Sequence, residues 1–292
     1  MPDHCTTSID NSLLLLYKPT AISSCQAVEQ VKRRLRIKKA GHAGTLDPFA
    51  EGLLIVGLGK ATRALTDLSQ QHKRYEVRLK LGLRTTTGDC EGEIIERRDF
   101  VVPKASVLND LFCDFIGEIE QIPPMYSALK HQGQRLYKLA RANISVPRSK
   151  RKVYIRSLAL QQISDEGFGF KVECSKGTYV RTLVEDIAAA LNTVAYTHSL
   201  KRTAIGVFDI SSAISLDCLA RKPDPQSEYL VNPAQVYSHF QAHVMNEESV
   251  RYFKHGCYDD RILPSGGRFR LYNEAGDFLG IGGDGKVYAR FV

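Results

Sequence analysis

Between Gly41 and Arg63 the chain reads GHAGTLDPFAEGLLIVGLGKATR. The thirteen residues from Gly41 to Leu53 hold three glycines, one proline, one histidine (His42) and a lone aspartate, Asp47, and the apolar run Leu53 to Val56 follows directly. Glycines allow a tight backbone path around the carboxylate, and Pro48 fixes what comes after it. An aspartate held this way either caps a turn, as most Asp-Pro aspartates do, or is aimed for covalent work as a nucleophile. Two further candidates sit on regular elements. In RYEVRLKLG, Tyr75, Val77, Leu79 and Leu81 share one face of a strand and Arg74, Glu76, Arg78 and Lys80 the other, so Tyr75 points to the interior or a cleft. In TYVRTLVEDIAAALN, Val180, Leu183, Val184, Ile187 and Leu191 mark the buried stripe of a helix. Arg181 stands one turn into that helix, where taken alone it is a surface arginine.

The elements around these residues follow from pattern and punctuation. LLLLYKP is a short buried strand stopped by Pro19. Ser23 with Gln26 three residues on forms a capping box, opening a helix with Val28, Val31 and Leu35 inside and Lys32, Arg33, Arg34 and Arg36 outside. LLIVGLG is a strand, and a helix is expected from Thr62 to about Gln70. PKASVLNDLFCDFIG has helical spacing, with Pro103 at its start. KVYIRSLALQQI and FGFKVECSKG are paired strands turning at Asp165-Glu166-Gly167, and THSLKRTAIGVFDI is a further strand region. RKPDPQSEY, within Arg221 to Pro233, is the linker candidate. Beyond it RFRLYNEAGDFLGIGGDGKVYARFV alternates strands with Gly-containing turns. The mixed order of strands and helices implies an α+β fold with a mixed, mainly antiparallel sheet, not alternating βαβ units. The domain expectation is a main body over 1–235, with a long segment rich in Tyr, Lys, Arg and His at about 120–152, and a small β module over 236–292.

With 292 residues and 43% hydrophobic content the chain buries a large core. Lys and Arg outnumber Asp and Glu by 40 to 32. They cluster at Lys32–Lys39, Arg148–Lys152 and Leu200–Thr203, which suits a polyanionic partner. The seven cysteines are scattered without a CxxC pair or a histidine at ligand spacing. That argues against zinc and a disulfide framework and for a reducing, cytoplasmic setting. LLLL is far too short to span a bilayer.

Taken together, these segments resemble the TruB-type pseudouridine synthases. GHAGTLDPFAEGLLIVGLGKATR is similar to their second motif, LLLLYKPTAISS to the N-terminal KP segment and KRYEVRLKLGLRTTTGD to the tyrosine strand. PPMYSALKHQGQRLYKLAR resembles the RNA-contacting insertion, KGTYVRTLVEDI the arginine motif and HSLKRTAIG the segment that closes the pocket. The resemblance implies isomerisation of uridine 55 in the T-loop of transfer RNA. That reaction breaks the bond from C1′ to N1 and rejoins the uracil through C5, so no metal or other cofactor is implied. It assigns the nucleophile to Asp47 and gives His42 the expulsion and replacement of the flipped base. Tyr75 would stack on the uracil and serve as the base, and Arg181 would be the ion-pair partner of the aspartate. Tyr179 and Leu200 would line the uracil pocket, Lys18 of the KP pair would join substrate binding, and Asp89 would belong to the charge network near Arg181. Tyr17, Ala43 and Thr86 depart from the usual Asp, Thr and Asp of the family.

The C-terminal stretch resembles a PUA-like module through SVRYFKHG and its closing hairpins. The resemblance further implies a monomer that binds the T-arm without a protein partner and away from membranes, with a possible added role as a transfer-RNA folding chaperone. Two other functions compete: a non-catalytic transfer-RNA chaperone, and a guide-RNA-dependent synthase acting on ribosomal RNA. The intact Asp47, Tyr75 and Arg181 oppose the first, and the basic, Tyr-bearing insertion opposes the second.

Overall fold

The computed structural model describes residues 9–221, 229–256 and 262–292. Most of the RKPDPQSEY linker (222–228) lies outside them. The chain divides into two compact units, one formed by 1–47, 52–69 and 207–292 and the other by 48–51 and 70–206.

The first unit begins with β1 (Leu13–Lys18), the LLLL strand. Helix α1 (Ser24–Leu35) follows, opened by the expected capping box: the Gln26 amide N–H donates to Ser23 Oγ while the Ser23 N–H donates to the Gln26 side chain. Strand β2 (Ala40–His42) then leads into the Asp47 loop and β3 (Glu51–Leu58). β1 and β2 both pair antiparallel with β3, with Leu13 opposite Gly57, Lys18 opposite Gly52 and His42 opposite Val56. Leu13–Leu16 and Leu53–Val56 are buried at every position, which is why both read as unbroken apolar runs and not as alternations. Leu14, Leu16, Leu54 and Val56 share a core with Ala27, Val28 and Val31 of α1. Where one helix was expected, Gly59–Ala64 is a 3-10 turn and Leu65–Gln70 a short α-helix.

The second unit is built on five antiparallel strands. Strand β4 (Lys73–Leu81) carries Tyr75, with its odd-numbered positions turned inward as the alternation requires. β5 (Gly117–Gln121), β6 (Arg151–Ser164), β7 (Gly167–Cys174) and β8 (Ala195–Ile205) complete the sheet in the order β8-β4-β7-β6-β5. Helix α2 (Ala105–Phe115) seats Phe112 against Phe168 and Phe170 of β7, ring centroids 6.1 and 5.7 Å away. Helix α3 (Val180–Ala190) covers β8 and buries Val180, Leu183, Val184 and Ile187, while Leu191 is its half-buried C-cap. A small hairpin, Leu83–Thr85 with Ile94–Arg97, frames the loop that holds Asp89.

The last segment of the first unit has its own small sheet, β9 (Gln241–Val244), β10 (Phe269–Tyr272), β11 (Phe278–Gly283) and β12 (Lys286–Arg290). Helix α4 (Glu247–His255), capped by Asn246 and ended by Gly256 at φ 81°, packs Phe253 into a core with Met245, Leu263, Leu271 and Leu279. This sheet has firm ties to the rest of its unit. Tyr237 lies among Phe240, Phe278 and Phe291 and donates to Asp67 at 2.7 Å, and Arg63 donates to the Arg290 carbonyl.

Candidate active site

Lys18, His42 and Asp47 belong to the first unit. Asp47 follows a loop that is pinned on its approach. The Ala43 N–H donates to the Ile55 carbonyl at 3.0 Å, and Gly44 at φ 101° turns the chain as few other residues do cheaply. At Leu46, one residue before Asp47, the backbone is held from both sides by one hydroxyl. Its N–H donates to Ser24 Oγ at 2.8 Å, and the same hydroxyl donates to its carbonyl at 3.1 Å. Ser24 is 1% exposed and is the first residue of α1, so the helix frame fixes its hydroxyl. Phe49 and Ala50 are buried just beyond. Asp47 is therefore the half-buried member of a loop anchored before and after it. Lys18 is fully buried at 0% exposure, and its ammonium donates to the carbonyls of Pro19 and Ile22, both at 2.7 Å. Those two bonds brace the turn before α1. His42 ends β2, half-buried.

Tyr75, Asp89, Tyr179, Arg181 and Leu200 belong to the second unit. Cross-strand register puts Tyr75 opposite Val172 of β7 and Arg202 of β8, with Leu200 opposite Val77, so Tyr75, Leu200 and Arg202 share one face of the sheet. Tyr75 is half-buried and Leu200 buried. Arg181 is no surface arginine: it is 4% exposed, and its guanidinium donates to the carbonyls of Thr87 at 2.6 Å and Tyr126 at 2.7 Å. Asp89 Oδ2 lies 3.6 Å from it, and that carboxylate also accepts from the Thr87 hydroxyl at 2.5 Å and the Glu91 N–H at 3.1 Å. The structure thus brings Arg181 and Asp89 together in one buried charged cluster, the arrangement in which a guanidinium interacts most strongly. Tyr179, the N-cap of α3, is held by the Gln121 side chain, which accepts from its N–H at 3.0 Å and donates to its carbonyl at 3.3 Å.

Burial and the Arg202 charge together lower Lys73 from 10.5 to about 8. Burial alone lifts Asp186 on α3 to about 6. Sequence reasoning passed over Ser24, Lys73, Gln121 and Arg202. Arg202 cannot contribute to a polyanion-facing surface as the Leu200–Thr203 cluster suggests, since it is 1% exposed. The alternation Leu200, Arg202, Ala204, all buried, was the available signal for it. Ser24 and Gln121 reach partners 22 and 58 residues away, beyond any local pattern. Among the described residues no group of three His, Cys, Asp or Glu side chains is placed to hold a metal ion, and no helix is long and apolar enough to cross a membrane.

Comparison with known proteins places these residues in a family context. The family model for the N-terminal domain of TruB family pseudouridylate synthases matches residues 32–180. The chain is 42% identical over 282 residues to tRNA pseudouridine synthase B of Burkholderia pseudomallei (strain 668), covering 93% of this chain and 92% of that one. It is 41% identical over 289 residues to tRNA pseudouridine synthase B of Nitrosococcus oceani, covering 96% and 94%. Among solved structures, a Cbf5-Nop10-Gar1 complex superposes with a TM-score of 0.71 at 22% identity, over 97% of this chain and 86% of that one. An H/ACA RNP bound to a substrate RNA superposes with a TM-score of 0.69 at 21% identity, over 94% and 78%. At those identities the superpositions speak for the fold, a mixed and mainly antiparallel sheet with a small C-terminal sheet.

Proposed function

The chain belongs to the TruB family of pseudouridylate synthases, and from that premise we propose how it works. It is a tRNA pseudouridine synthase, an isomerase that converts uridine to pseudouridine in transfer RNA. The target we infer is position 55 in the T-loop. Asp47 attacks ribose C1′ or pyrimidine C6, and the N1–C1′ bond breaks. The uracil then turns, C5 joins C1′ and the bond to Asp47 breaks, returning the free carboxylate; C5 gives up its proton and N1 gains one, so substrate and product are isomers. Tyr75 stacks on the flipped base and stands in place to take the C5 proton, while His42 occupies the vacated stack. Arg181 is the cation assigned to Asp47, with Asp89 fixing the guanidinium. Tyr179 and Leu200 shape the uracil pocket, and Lys18, held at its turn, joins substrate binding. We further propose that 236–292 serves as an RNA-binding module on a catalytic body over 1–235, and that the protein works in the cytoplasm as a monomer without a protein partner. A chaperone role in transfer-RNA folding is compatible with the same surface.

The observation that carries the nucleophile assignment is the anchored loop. A carboxylate gains little as a turn cap where Ser24 and two buried residues already hold the backbone around it, so the loop's rigidity serves the carboxylate. The test is release of tritium from a T-arm stem-loop carrying 5-tritiated uridine, measured beside filter binding. Asp47→Asn keeps the shape and loses the nucleophile, so turnover should vanish while affinity changes by less than about tenfold, or 1.4 kcal/mol. Turnover above a few per cent of wild type, with deamidation excluded, places the nucleophile elsewhere.

A further inference from the structure

The segment 122–150 leaves the sheet at Gln121 and returns at Arg151, and these two residues face each other in the β5–β6 ladder. The segment has little regular structure: a two-residue hairpin pairing Lys130–His131 with Gln134–Arg135, and a short helix, Leu136–Arg141. Its root is tied at three places. Arg148 donates to the Pro123 carbonyl at 3.2 Å, Arg181 donates to the Tyr126 carbonyl at 2.7 Å, and Gln121 exchanges two hydrogen bonds with the Tyr179 backbone. Gln121 is 2% exposed, and a buried amide whose donor and acceptor both meet one residue's backbone is a specific clamp. Tyr179 and Arg181 lie at the start of the same helix, α3.

We propose that Gln121 is a positioning residue that couples the order of the 122–150 insertion to the start of α3, so that an insertion seated on RNA holds Tyr179 and Arg181 in their working places. The inference rests on the proposed pseudouridine synthase reading. The insertion begins at the residue after the clamp, so its root pulls directly on Gln121. Through its two hydrogen bonds a displaced Gln121 either carries the Tyr179 backbone with it or loses its hold on it.

Two variants test it. Gln121→Met keeps the volume and removes both hydrogen bonds. Gln121→Glu presents two acceptors when ionised and repels the Tyr179 carbonyl, but when protonated it presents one donor and one acceptor, as the amide does. Gln121→Met should lower the single-turnover rate at saturating transfer RNA about tenfold, leave the dissociation constant within about threefold, and speed tryptic cleavage between residues 130 and 151. Gln121→Glu, expressed as a ratio to wild type at each pH, should recover as pH falls. A wild-type rate in Gln121→Met overturns the coupling. So does a loss confined to affinity, or a Gln121→Glu ratio that is flat with pH. Should Gln121→Met not fold, the pH ratio of Gln121→Glu decides alone. A wild-type protein that forms no pseudouridine defeats the underlying function instead, and the tryptic comparison then still accepts or rejects the clamp on the insertion.

Discussion

A buried hydroxyl next to a reactive loop contributes less by its own bond energy than by what its loss leaves unsatisfied. Removing the Ser24 hydroxyl strands the Leu46 N–H and carbonyl in a buried place, a cost of about 1–3 kcal/mol. Ser24→Ala should therefore lower the melting temperature modestly and cut the single-turnover rate at least about tenfold, because a small displacement of a catalytic group is expensive. Transfer-RNA affinity should stay within about threefold, since phosphate contacts do not pass through this hydroxyl. Rate measurement beside binding and thermal denaturation separates the three quantities, and an unchanged rate would assign Ser24 to stability alone. Asp47 itself was legible in the sequence, because glycine, proline and an apolar run mark its loop within thirteen residues. The hydroxyl that steadies the loop was not, because folding alone brings residue 24 to residue 46.

Strand β4 shows how one element sets several properties at once. Its alternation was readable, since Arg74 and Arg78 interrupt the series Tyr75, Val77, Leu79, and the structure pairs it without a shift against β7 and with two register shifts against β8. The same alternation places Lys73 inside, against the habit of lysine. Burial and the nearby Arg202 hold it at about 8, below its ordinary 10.5, so between those two values the unfolded chain binds more protons than the folded one. Stability must then rise with pH across that window, by up to about 3 kcal/mol if no other group compensates. Urea denaturation at pH 8, 9 and 10 should show the increase in wild type and a flatter profile in Lys73→Met; parallel profiles would mean that Lys73 titrates normally. Patterns of hydropathy report which way a side chain points. They do not report what charge stands opposite, and for that reason Arg202 and Lys73 were missed while Tyr75 was found.

For the whole molecule the basic character divides unevenly. Lys150 and Lys152 are matched across the ladder by Glu120 and Glu118 at 3.2 and 2.7 Å, whereas Arg33, Arg36, Lys38 and Lys39 at and beyond the end of α1 are exposed. RNA binding should lean on the latter group. With about six phosphates neutralised, affinity should fall roughly a thousandfold from about 50 to about 200 mM salt. Charge reversal at Arg36 or Lys38 should flatten that slope more than reversal at Lys150; equal effects would refute the division. Ending the chain after Ser238 strips Phe278 and Phe291 from Tyr237 and removes the carbonyl that Arg63 donates to. Stability should drop, and transfer-RNA affinity should fall about tenfold or more, near 1.4 kcal/mol. Turnover on a saturating stem-loop should persist, and a folded truncation without turnover would count against a separable module. The pairing of Gln121 with Arg151 has another consequence. A segment whose two ends meet on a single rung closes a ring that the scaffold never has to stretch to accommodate. Doubling its length adds only about 0.6 kcal/mol of closure entropy. The tip of that segment can thus be lengthened, trimmed or exchanged to retune which RNA is recognised, provided residue 121 remains a glutamine and the root keeps the carbonyl at 126 that Arg181 donates to.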